Sequence, residues 1–212
     1  MNSKNKRLIR TMATLAILIA LTIVFSFISI PVITGTVAFT VTFLVVTIGA
    51  ILFGPWAGLI LGLTMGLMSF GIAFSDAFGN MLLDINVGLT FVVLVPTRAI
   101  MGLLVGLIYK AFRVKLNSGV RFHVAHLVTN LIAPLLNTTF FIGALVGCFY
   151  HTALLQDMIN QQGNLFLFIL VVFGLNFLAE FIIAGTIGYV SSSRLVPQLT
   201  KFIDINNNIK TK

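Results

Sequence analysis

The run LTFVVLVPTRAIMGLLVGLIY, Leu89 to Tyr109, decides how the chain is read. Its only charge is Arg98, about nine residues from one end and eleven from the other. At 1.5 Å per helical residue this arginine lies roughly 13 to 17 Å from either edge of an apolar span. A guanidinium stays protonated at physiological pH, and placing it in hydrocarbon costs from about 2.5 to over 10 kcal/mol. It must therefore face a protein interior or a wet cavity with an anion nearby. The identity of that anion is the functional question.

Working outward, the 212 residues are 58% hydrophobic and 8% charged, with a mean hydropathy of +1.10. A soluble domain carries roughly 25% charged residues, so this chain cannot cover a soluble surface. Its apolar runs are long and lack the alternation of barrel strands, which selects an all-α integral membrane protein. A net charge of +8 would suggest nucleic acid in a soluble protein, but no extramembrane segment is large enough to fold such a module. The single Cys148 excludes an intrachain disulfide and an all-cysteine metal site. Lys4, Lys6, Arg7 and Arg10 precede an apolar stretch too long for a signal peptide, which reads as a retained first membrane helix.

Six membrane helices are expected, at about 8–30, 38–53, 57–74, 89–109, 122–150 and 165–190, forming one domain over 1–212. Pro31 and Gly35 close the first, and Gly54-Pro55-Trp56 is the corner between the second and third. Ala13, Ala16 and Ala20 share a face of the first helix, with the small-xxx-small spacing that allows close helix approach. Internal packing is the other reading of that face. Gly58, Gly62 and Gly66 form a double GxxxG on the third; GPWAG is followed by no GK[ST] and is not a phosphate loop. Residues 75–88 and 156–164 read as polar connections, and the chain from Ser191 as a polar, basic tail containing Asn206 to Asn208.

Six helices put the N-terminal segment, the second-to-third turn, the fourth-to-fifth loop and the C-terminal segment on one side, with 12 of the 13 basic residues. These include Lys110, Arg113, Lys115 and Arg121, and the thirteenth is Arg98. The positive-inside rule makes that side cytoplasmic, with both termini there and the lipid bilayer as surroundings.

Polar groups at membrane depth are functional candidates. On the fifth helix His123, His126, Asn130, Pro134 and Asn137 share one face, and on the sixth Asn176 and Glu180 stand four apart. Two readings stay open. Arg98 and Glu180 form a buried ion pair that fixes two helices, or Arg98 holds a ligand carboxylate while Asn130, Asn137, Thr138, Asn176 and Glu180 meet hydroxyl and amide groups. Enzyme readings fail. His123 and His126 stand alone as an interfacial pair, no GxSxG occurs, and Asp76 and Asp84 are too far apart for a clustered magnesium site, so no catalytic or metal-ligating set is expected.

The order of several stretches resembles the substrate-binding S components of energy-coupling factor (ECF) vitamin transporters. They are the Ala16-to-Ala20 face, GAILFGPWAGLILGLTMGLMSF at residues 49–70 and VPTRAIMGLLVGLIYK at residues 95–110. GLTMGLMSF, NTTFFIGALVGCFY from Asn137 and GLNFLAEFIIAGTIG from Gly174 are most similar to the pantothenate-specific subgroup. The resemblance implies that a vitamin is captured from outside and that the protein docks, through Ala16 and Ala20 with Ala13 beside them, to a transmembrane coupling subunit. That subunit carries two ATPases, and the S component topples to release its cargo. No cofactor is expected in this chain, since ATP would be hydrolysed by the partners. The alternatives are an S component for folate or another vitamin, and a self-sufficient secondary carrier of a small anion.

Overall fold

The computed structural model describes residues 3–31, 38–112 and 119–204. The expected break at Gly35, the basic residues Arg113 and Lys115, and the Asn206–Asn208 run with Lys210 and Lys212 lie outside the described residues. Helix α1 spans Ser3–Ser26, and a small antiparallel ribbon follows, β1 (Ser29–Pro31) pairing with β2 (Ala38–Thr40). Then come α2 (Thr42–Phe53), α3 (Pro55–Ala73), α4 (Ala77–Ile85), α5 (Val87–Ala111), α6 (Val120–Phe149) and α7 (Ala153–Gln161). Helix α8 (Leu165–Ile183) runs through a π-helical turn, Ala184–Gly188, into α9 (Tyr189–Asp204).

Among the described residues, four helices are long and apolar enough to cross a membrane: α1, α3, α5 and α6. The run from Leu165 to Ile203, bent by 44°, adds a fifth. Helix α2 has 12 residues, a length of about 18 Å. The chain is thus an all-helical integral membrane protein apart from its ribbon.

The tightest contact lies between α3 and α5. A Cβ at Gly58 would strike the carbonyl of Gly102, one at Gly62 the carbonyl of Arg98, and one at Gly66 the backbone at Val95. The two backbones therefore touch with no side chain between them, which is what the double GxxxG permits. Gly54, at φ +89, reverses the chain between α2 and α3, and Pro55 starts α3 where its missing N–H is not needed. Around this contact one core gathers Leu18, Phe43, Val46, Leu61, Met65, Met101 and Val105. A second core, with Phe78, Leu82, Phe149, Leu155, Phe168 and Phe173, lies at the end of the bundle where α4 and α7 cross over.

Several boundaries differ from the sequence reading. Both polar connections contain short helices, because their polar residues are caps: Asp76 Oδ2 accepts from Gly79 N at 2.9 Å, and Thr152 Oγ1 from Leu155 N at 3.4 Å. Asn86 and Asn164 likewise cap α5 and α8. The expected tail is helical through Asp204. Its polar composition conceals a stripe in which Ser192, Val196 and Ile203 are buried. Helix α1 begins at Ser3 and stops at Ser26 rather than near residue 30, where the chain turns into β1.

Adding a methyl at Gly62 must push the Arg98 backbone away, so Gly62→Ala should destabilise the fold by about 1–3 kcal/mol. Gly71 on the same helix has open space at its Cβ position. Gly71→Ala should stabilise by roughly 0.5–1 kcal/mol. Thermal unfolding in detergent checks both; equal shifts of the same sign would show that the α3–α5 contact is not tight.

Candidate functional site

Pro96 removes one amide from α5, and the side chains that follow wrap the loosened turn. Thr97 Oγ1 donates to Val93 O at 2.5 Å, and Arg98 Nη1 donates to Leu94 O at 2.9 Å. A long helical side chain leans toward its helix N-terminus, and the arginine does so here. Its guanidinium stands over the ring of Phe141 on α6, with Cζ 5.6 Å from the ring centroid. Phe141 meets Phe173 of α8 edge-on at 5.8 Å, and Phe173 meets Phe168 at 5.8 Å. The charge thus rests on an aromatic stack rooted in the second core.

Asn137 is one turn before Phe141 on α6, and its amide interacts with the Glu180 carboxylate of α8. Glu180 and Arg98 are electrostatically coupled. They nevertheless do not satisfy each other. Glu180 is buried and its Oε2 accepts no hydrogen bond, while Arg98 Nε is buried and donates to nothing. Asn176 is buried on the same face of α8 as Glu180, and Thr138 is partly buried beside Asn137. The ribbon strand β2 lies against α8.

With Nη1 engaged, the buried donor left without a partner is Nε, which lies on the edge it shares with Nη2. A planar fork of two parallel N–H groups matches a carboxylate. The arrangement is a partly buried cation with an open donor edge, an acceptor oxygen and amides around it, and an aromatic floor. Such a group suits a small ligand with one anionic end and hydroxyl or amide groups along its length.

Asn130 has other partners. Its Nδ2 donates to Ser192 Oγ at 2.8 Å and to His126 O at 2.7 Å. His126 shares hydrogen bonds with Ser192 Oγ at 3.1 Å through Nδ1 and with Tyr109 Oη at 3.2 Å through Nε2. His123 Nδ1 and Tyr189 Oη are 2.8 Å apart. This network ties α5, α6 and α9 together at the end of the bundle that carries Lys110 and Arg121. His126 is fully enclosed within the protein at that end of the bundle. The cover is α9, which the sequence presented as a tail. Among the described residues no group of three His, Cys, Asp or Glu is close enough to hold a metal.

The sequence reading missed Phe141, Tyr109, Ser192 and Tyr189. Phe141 was within reach: it continues the face of His123, His126, Asn130, Pro134 and Asn137 by one more step of four. On α1, Thr14, Leu18, Thr22 and Ser26 face inward, while Ala13, Ala16 and Ala20 are exposed on the uncovered side.

Apolar helices thus enclose an arginine Nε and a carboxylate oxygen without partners, together with buried amides, in a membrane protein. Comparison with known families agrees, since the model of the ECF transporter, substrate-specific component, matches residues 10–192. The chain belongs to that family, whose members are substrate-binding membrane subunits working with an ECF module rather than enzymes. No curated protein matches the chain.

Ser192→Ala leaves His126 and the Asn130 amide without their shared partner and should cost about 1–3 kcal/mol of stability. Ligand affinity should be unchanged. Calorimetric titration beside a thermal melt checks this, and a large affinity loss at full stability would place the network in the binding site.

Proposed function

We propose that this chain is the pantothenate-binding S component of an ECF-type ABC transporter. The observation that supports this reading is the open Nε–Nη2 edge of Arg98, held by the Leu94 carbonyl and Phe141 beside an uncompensated Glu180 oxygen. The vitamin carboxylate docks on that edge. Its hydroxyls and amide N–H donate toward Glu180 Oε2, with Asn137 and Asn176 on the same faces. Asn130 belongs to the helix-tying network instead. The Arg98–Glu180 pair serves as a poised acceptor of ligand rather than a closed structural bridge.

The bundle crosses the membrane six times, α2 making its short crossing together with the extended segment before it. Both termini and the basic loops lie in the cytoplasm. The exposed Ala13, Ala16 and Ala20 face of α1 docks on the transmembrane coupling subunit, whose two ATPases supply the energy. The vitamin enters from the opposite side, near α4, α7 and the ribbon.

Calorimetric titration of the purified protein with pantothenate, folate, riboflavin, biotin and thiamine tests the ligand. Pantothenate should bind tightly. Arg98→Ala should weaken it on the order of a hundredfold, since truncating one partner of a buried charge pair typically costs 2–5 kcal/mol. Arg98→Lys should recover little, because an ammonium offers no fork. Tight binding of another vitamin alone would keep the S-component reading and reassign its cargo. Uptake by this chain alone, driven by an ion gradient, would replace it with a secondary carrier. Ala16→Trp should spare vitamin affinity but abolish copurification with the coupling subunit, and retained copurification would move the docking face elsewhere.

A further inference from the structure

We infer that Phe141 is a positioning residue that aims the Arg98 fork at the ligand and so sets the preference for a carboxylate. This rests on the proposed role of Arg98 but adds a residue that the reading does not require. Three restraints act on the Arg98 guanidinium. Its backbone is fixed by the α3–α5 contact, where Gly62 lies against the Arg98 carbonyl. One end of its head is fixed by the hydrogen bond from Nη1 to Leu94 O. Those two restraints leave the torsions up to Cδ–Nε soft, so the planar head could still tilt and swing away from α6. The third restraint is the Phe141 ring, 5.6 Å from Cζ.

An aromatic face attracts the cation through its quadrupole but accepts no conventional N–H hydrogen bond from the in-plane edge. The ring can therefore hold the guanidinium while leaving the Nε and Nη2 donors open. A side-chain carboxylate in the same place would have consumed them. Glu180 is the acid coupled to Arg98, yet Nε donates to nothing and Glu180 Oε2 accepts nothing, so the shelf holds the charge where the acid does not close on it. Phe141 is itself fixed by Phe173, which is buried and backed by Phe168. Leu94, whose carbonyl receives Nη1, packs in the same cluster as Phe141. One group of residues thus sets both contacts of the head.

A merely structural phenylalanine would act on every ligand alike, whereas a shelf for the fork acts on anions. The test compares pantothenate with its primary-alcohol analogue, which keeps the amide and hydroxyls but has no carboxylate. In Phe141→Leu, pantothenate affinity should fall about threefold to thirtyfold, the range of a partly to fully desolvated cation–π contact. Affinity for the alcohol should be unchanged, so the acid-to-alcohol preference shrinks by the same factor. Phe141→Tyr keeps the ring and should retain the wild-type preference. Equal losses for acid and alcohol in Phe141→Leu, or a lost preference in Phe141→Tyr at normal thermal stability, would overturn the inference.

A second measurement needs no vitamin. In protein labelled with ¹⁵N arginine, the Arg98 Nε–H resonance, assigned by its disappearance in Arg98→Lys, should carry an upfield ring-current shift that Phe141→Leu removes and Phe141→Tyr keeps. An unmoved resonance would refute the shelf whatever the protein binds. If wild-type protein binds no pantothenate but this shift is present and lost in Phe141→Leu, the vitamin assignment fails while the positioning role stands.

Discussion

The direct contact of the α3 and α5 backbones sets the rest of the structure. Gly58, Gly62 and Gly66 bring α3 so close that a single methyl would strike carbonyls at Gly102 and Arg98. Contacts of this kind have little lateral tolerance, so they fix the rotation and depth of α5. The rotation of α5 in turn decides that Arg98 points toward α6 and α8 rather than toward lipid. Pro96 adds to this by loosening the turn whose carbonyls Thr97 and Arg98 then occupy. A costly charge is thereby placed where polar groups of two other helices can reach it.

The charge is held without being neutralised at close range. A cation in a low-dielectric setting would gain most from a direct ion pair, and Glu180 is close enough to be coupled to it. The fold instead gives Arg98 a carbonyl and an aromatic face, and leaves Glu180 with an unsatisfied buried oxygen. Unsatisfied buried polar atoms cost about 1–3 kcal/mol each, more for charged groups. Under the proposed function, that cost is recovered when the solute arrives. This is the local form of the conflict between stability and function that binding sites exhibit.

Helix α6 carries two polar groups with different purposes along one face. Toward its C-terminal half, Asn137 and Phe141 meet Glu180 and Arg98. Nearer its start, His126 hydrogen-bonds to Ser192 and Tyr109, and the Asn130 amide nitrogen donates to Ser192. The π-helical turn Ala184–Gly188 separates the two groups on the opposing chain, and Gly188 gives room to Asn130. Both groups keep a buried atom without a partner, Arg98 Nε and Glu180 Oε2 in the first and Asn130 Oδ1 in the second, but only the first carries charge.

Membrane class, the α3 glycine face, the mid-helix position of Arg98 and the shared face of Asn176 and Glu180 were legible in the sequence. Each depends on composition or on the 3.6-residue period, which are properties of one segment at a time. The helical caps at Asp76 and Thr152 were hidden because a capping residue and a loop residue have the same composition. The pairing of segments was not legible either. Asn130 and Asn137 share a face, yet only the packing of α9 and α8 over α6 gives Asn130 the Ser192 hydroxyl and Asn137 the Glu180 carboxylate as neighbours. Likewise, the sequence called for an anion beside Arg98 and offered neither Leu94 O nor Phe141, which are its direct contacts. That outcome depends on distances between helices far apart in the chain, which side-chain-free contact at Gly62 and aromatic packing at Phe173 establish only in the folded molecule.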